Sequence, residues 1–107
     1  VNLTDLHPKW FGLPQAAPSA SDIKVGFTFD CPCSRCAENR GSTRLSVNID
    51  PPIDPENKLV GTTWVTPQPA WKRIGDSFET ITLQPSVDVS SRGHWHGYIT
   101  NGEISFA

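Results

Sequence analysis

The stretch Ile23-Lys24-Val25-Gly26-Phe27-Thr28-Phe29-Asp30-Cys31-Pro32-Cys33-Ser34-Arg35-Cys36 decides how this chain is read. Ile23, Val25, Phe27 and Phe29 alternate with Lys24, Gly26, Thr28 and Asp30, which is the period of a half-buried β-strand. The parity runs on. Cys31 and Cys33 share the face of Phe27 and Phe29 if the chain stays extended through Pro32. All three cysteines of the protein lie in this stretch. Two of its three histidines, His94 and His96, form a second tight group around Trp95. Thiolate and imidazole are the ligands that Zn²⁺ prefers, and a structural zinc takes four of them in a tetrahedron. Two short knots far apart in sequence therefore read as two halves of one zinc site, closed by the fold.

Composition agrees with such a staple. The chain has 107 residues, of which only 36% are hydrophobic, so a single modest core is expected and a bound metal would reinforce it. Ten prolines and eight glycines favour many turns over long helices. The net charge of −2 and the pI near 5.8 provide no electrostatic footprint for nucleic acid. No apolar run approaches the roughly 18 residues of a membrane span. An odd number of cysteines packed into six positions cannot staple distant parts of a secreted fold, so reduced, metal-bound thiols in a cytosolic setting are expected. No secretory signal is visible.

Working outward, Arg40-Gly41-Ser42 reads as a turn, and Leu45, Val47 and Ile49 alternate in a second strand. Residues 23–30 and 43–49 then form a hairpin whose loop carries the cysteines. A short strand is expected at 62–65, one or two helical turns over 66–75 with Thr66 as cap and Gly75 as stop, and a strand from Phe78 to Leu83. Asn101-Gly102 between β-prone runs predicts a two-residue type I′ hairpin. In its first strand the period of two places His94 and His96 on one face, with Trp95 on the other. The four tryptophans Trp10, Trp64, Trp71 and Trp95 read as core and lid residues rather than a binding surface.

Residues 1–20 read as an extended arm, and 21–107 as one zinc-binding β domain. The fold class expected is mostly β, a small antiparallel sandwich or roll. In the arm, Leu3, Leu6, Trp10 and Phe11 are apolar enough to dock on a core and too apolar for a free tail. They are the candidate residues for contact with a protein partner, a larger assembly or a second copy of the chain.

Five candidate ligands, Cys31, Cys33, Cys36, His94 and His96, compete for four positions. Cys33-x-x-Cys36 has knuckle spacing; with both histidines it makes a Cys₂His₂ site, and exchanging one histidine for Cys31 makes a Cys₃His site. A buried cysteine cluster without metal is the plainer reading. The sharper one is catalysis. Pro32-Cys33-Ser34-Arg35-Cys36 matches the P-C-x-x-C half of zinc nucleobase deaminases. The H-x-E half is missing, since the early histidine, His7, is followed by Pro8 and Lys9, and no H-E-x-x-H is present. Glu103, Asp30 and Glu79 are candidate acids but read as solvated strand residues. A Rieske centre mixes cysteine and histidine in each loop; here they are segregated.

Cys31-Pro32-Cys33-Ser34-Arg35-Cys36, Leu83-Gln84-Pro85-Ser86-Val87 and His96-Gly97-Tyr98-Ile99-Thr100-Asn101-Gly102-Glu103-Ile104 together resemble a family of small uncharacterised zinc-binding proteins of bacteria and their phages. The resemblance covers roughly residues 23–107. Some members sit beside bacterial ubiquitin-like conjugation genes, and some carry an unsupported "ammonia monooxygenase" label. The family pattern has one residue between its second and third cysteines, where this chain has Ser34 and Arg35. It also tends to place a cysteine at the position of Gly93. His96 is the histidine that matches, and His94 is inferred to supply the missing ligand. The resemblance implies zinc binding and a small β fold, and no activity. The expected function is a zinc-binding accessory or interaction protein of phage or bacterial origin, with a zinc-dependent hydrolase or deaminase as the alternative.

Overall fold

The structure is a computed structural model that describes residues 1–12, 23–59, 61 and 65–107. Among the described residues the protein is mostly β, with short 3-10 turns and two sheets. The larger sheet has five strands in the order β1-β2-β3-β4-β5: β1 (Lys9–Gly12), β2 (Lys24–Asp30), β3 (Arg44–Ile53), β4 (Ala70–Ile74) and β5 (Thr82–Gln84). The smaller has three, β6 (Val87–Asp88), β7 (His96–Thr100) and β8 (Glu103–Phe106), in sequence order. Among the described residues, no helix is long and apolar enough to cross a membrane.

The hairpin read from residues 23–49 is present. Phe27 faces Val47 and Phe29 faces Leu45 across β2 and β3, and all four side chains are buried. Pairing extends past the end of β2, where the Cys31 N–H donates to the Thr43 carbonyl at 3.0 Å. The C-terminal hairpin is also as expected. Asn101 (φ 49°) and Gly102 (φ 74°) both lie in the left-handed region that a type I′ turn requires. Trp95 and Ile99 complete the core against Phe29 and Ile81, with Trp95 edge-on to Phe29 at 6.0 Å.

Three sequence expectations change. Residues 66–75 hold no helical turns; Ala70–Ile74 is a strand running parallel to β3. Pro67 and Pro69 lack N–H donors and push the residues before them into extended conformations. The Asn48 side chain then bonds both proline carbonyls at 3.2 Å, which places β4 beside β3 and makes the sheet mixed. The strand expected from Phe78 starts only at Thr82, because Ser77–Thr80 forms a turn closed by Thr80 N–H on the Ser77 carbonyl at 3.2 Å. The strand expected at 62–65 falls largely outside the described residues, and Val65 is not in a strand.

The third change concerns the N-terminus. Residues 13–20 of the expected arm lie outside the described residues, but residues 2–12 are built into the fold. Leu3 and Leu6 sit in a 3-10 turn (Leu3–Leu6) and are 0% and 3% exposed. Their burial stabilises the domain by roughly 1.5–3 kcal/mol per side chain. Trp10 stacks on Phe78 at 4.2 Å, and Phe11 packs beside Ile23 and Val25. Leu3 N–H donates to the Gly102 carbonyl at 2.8 Å, and Ile104 N–H to the Val1 carbonyl at 2.9 Å. This segment thus ties the small sheet to the large one. The side chains expected to meet a partner are occupied within the chain: two are core residues and two are packed against it.

Candidate metal centre

The cysteines sit where β2 leaves the large sheet. Cys33 is extended (φ −65°, ψ 159°), so the parity of Phe27 and Phe29 does persist through Pro32, and Cys31 and Cys33 are both buried. The chain then turns into a 3-10 segment, Ser34–Asn39, closed by Cys36 N–H on the Cys33 carbonyl at 3.1 Å. That knuckle folds Cys36 back over the first two sulfurs. The histidine arrives from the other sheet. Between β6 and β7 the chain makes a 3-10 turn, Ser90–Arg92, and reverses at Gly93 (φ 76°). His94 N–H donates to the Val89 carbonyl at 3.2 Å, and Val89 N–H to the Trp95 carbonyl at 2.8 Å.

These two loops bring Cys31, Cys33, Cys36 and His94 together, with all four ligand atoms within 4.8 Å of one another. His94 Nδ1 lies 3.6 Å from Cys31 Sγ, 3.8 Å from Cys33 Sγ and 3.6 Å from Cys36 Sγ. An imidazole nitrogen carries either one lone pair or one proton, so three near-equal sulfur contacts cannot be three good hydrogen bonds. They have the spacing of the edges of a coordination polyhedron. With Zn–S near 2.3 Å and Zn–N near 2.05 Å at the tetrahedral angle, sulfur and nitrogen stand about 3.6 Å apart. The cluster therefore fits a metal such as zinc, in a closed Cys₃His set.

His96 is not part of the cluster, which corrects the sequence preference for it over His94. Its Nε2 lies 3.2 Å from Ser86 Oγ, and it pairs with Asp88 across β6 and β7. Strand periodicity does not relate the two histidines, because β7 begins at His96 and His94 still belongs to the turn. Trp95 points into the core as expected, 1% exposed.

Without an ion the thiols differ sharply. Burial pushes Cys31 up to about 11, although it accepts hydrogen bonds from the backbone N–H groups of Cys33 and Trp95. Burial would also raise Cys33, but hydrogen bonds with His94, then with Cys31 and Cys36, and the Cys36 backbone N–H bring it down to about 6. Of these two, Cys33 is the readier thiolate near neutral pH, and a dication would draw protons from the thiols that it binds.

Several charged groups around the site carry structural roles that sequence patterns do not signal. Arg40 donates to the Cys31 carbonyl, and Arg35 Nη1 to the Gly93 carbonyl at 3.3 Å. Asp30, expected as a solvated acid, is 3% exposed. It accepts from Arg44 at 2.8 Å and contacts His7 Nδ1 at 2.8 Å. Arg44 also donates to the His7 carbonyl at 2.8 Å, so this cluster holds the N-terminal segment against the strand that leads to the cysteines. Glu79 lies in the Ser77–Thr80 turn and Glu103 on the outer side of β8; neither belongs to the metal-competent cluster.

Fold and site together define a small, mostly β protein with a Cys₃His cluster competent to bind a metal. No family model, curated protein or solved structure matches the chain.

Proposed function

We propose that this chain is a zinc-stabilised accessory or interaction protein, in which one Zn²⁺ held by Cys31, Cys33, Cys36 and His94 staples the large sheet to the small one. The observation that carries this reading is the set of three sulfurs at 3.6–3.8 Å around one imidazole nitrogen, the spacing of a closed zinc tetrahedron. A hydrolase or deaminase needs an open coordination position for water. Here His94 takes the fourth place, which favours a structural metal and a function exercised through binding. The motif resemblance supports a role as a component of a bacterial or phage assembly, in the host cytoplasm or the virion. With Leu3 and Leu6 in the core, the partner meets other parts of the surface.

Metal substitution tests this directly. One Co²⁺ per chain should give the intense visible bands of tetrahedral cobalt with thiolate charge transfer, and azide should leave that spectrum unchanged. His94→Ala should reduce metal affinity by more than about 100-fold, beyond the cost of losing an outer-shell partner, whereas His96→Ala should retain it. An azide-sensitive spectrum would indicate an open position and favour the enzyme. Equal metal loss in both histidine variants would remove the Cys₃His assignment.

A further inference from the structure

The ligands come from two loops on different sheets, and nothing in either loop's own sequence sets their separation. The residue before His94 is nevertheless tied to the cysteine loop. The guanidinium of Arg35, inside the Cys33–Cys36 knuckle, donates to the Gly93 carbonyl at 3.3 Å. Gly93 adopts φ 76°, and a Cβ there would lie 2.3 Å from Arg35 Nη1, so the arginine lies closely over the turn that presents the imidazole.

Charge points the same way. Zn²⁺ with three thiolates and a neutral imidazole carries a net charge of about −1. Arg35 brings a guanidinium to the knuckle, and Arg40 adds a second on the Cys31 carbonyl. Outer groups that orient ligands and balance charge tune metal sites strongly.

We infer that Arg35 is a positioning residue of the metal centre: by bridging the cysteine knuckle to the Gly93 carbonyl it holds the His94 turn in register for coordination and offsets the negative charge of the loaded site. This rests on the zinc reading above. Arg35 is exposed, so solvent screens its charge, and the expected effect lies at the lower end of the outer-shell range.

The test is chelator competition for Zn²⁺ on the full chain, with Co²⁺ spectra recorded alongside. Arg35→Ala should weaken zinc binding about tenfold while the cobalt bands keep their form and the metal-free chain melts as the wild type does. Arg35→Gln keeps a donor without the charge and should recover part of the affinity. Arg92→Ala removes the same charge from the Ser90–Arg92 turn and should stay within about twofold of wild type on this reading. An Arg35→Ala affinity within twofold of wild type would overturn the inference, as would a loss explained wholly by a less stable metal-free chain or matched by Arg92→Ala. A wild-type chain with no tetrahedral cobalt spectrum would instead overturn the zinc reading itself.

Discussion

Asp30 shows how much a single side chain can be asked to hold. It ends β2, one residue before the first cysteine, and it is buried with a guanidinium on one oxygen and an imidazole on the other. Burial alone would raise its pKa, but the hydrogen bonds and charges of Arg44 and His7 more than offset this and hold it below the ordinary carboxylate value. The sign follows from linkage. A carboxyl whose folded pKa is depressed contributes its full stabilisation above the unfolded value near 3.9, and loses it as pH falls through the folded one. Asp30→Asn should therefore destabilise the protein by about 1–3 kcal/mol at neutral pH, since Arg44 is left without its charged partner. The gap between the two chains should persist to about pH 5 and close below about pH 4. Urea unfolding midpoints across that range check it, and a gap that widens in acid would reject the assignment. The alternating pattern located this residue at a strand end but assigned it to solvent, because parity says nothing about an arginine and a histidine arriving from other segments of the chain.

Among the elements, the C-terminal hairpin was the most legible, because its signal is local. Only residues that tolerate positive φ suit a type I′ turn, and Asn-Gly is the usual choice. Gly102 carries a second constraint that arises from packing. A Cβ there would lie 2.3 Å from the Glu79 carbonyl oxygen, and backbone cannot rotate away as a flexible side chain can. Gly102→Ala should cost at least about 2 kcal/mol, combining left-handed strain with that clash, and thermal melting would measure it. A change of only a few tenths would mean that the Ser77–Thr80 turn yields easily. β4 was illegible for the opposite reason. Thr66 and Gly75 frame a plausible helix, but the two prolines and the Asn48 amide that receives their carbonyls make the segment a parallel strand. The N-terminal residues were read as an arm because their partners, Gly102, Phe78, Asp30 and Arg44, are dispersed along the chain.

At the scale of the whole molecule, the cluster lies between two sheets that are also linked by the N-terminal segment, by the contacts of β5 with β7 and by the shared core of Phe29, Ile81, Trp95 and Ile99. Binding energy at such a site is folding energy. With free zinc at about 100 times its Kd, the folded state gains about 2.7 kcal/mol, which for a domain of this size corresponds to a melting shift of roughly 10 °C or more. Stripping the metal with a chelator should lower the calorimetric transition by that amount, and acid should do the same as protons compete for the thiolates. A transition that does not move with zinc would dismiss the staple.

The amino-acid sequence by itself determined the cysteine-bearing hairpin, the C-terminal hairpin, the β class and the presence of thiol and imidazole groups competent to bind a metal. Each of these depends on period, turn chemistry or ligand type within a few residues. Tertiary structure alone decided that His94 rather than His96 faces the sulfurs, that Leu3 and Leu6 are core, and that β4 runs parallel to β3. The physical reason is that these outcomes depend on contacts between segments distant in the chain. A two-residue difference in where β7 begins, at His96 rather than His94, reorients an imidazole, and no local pattern records that boundary.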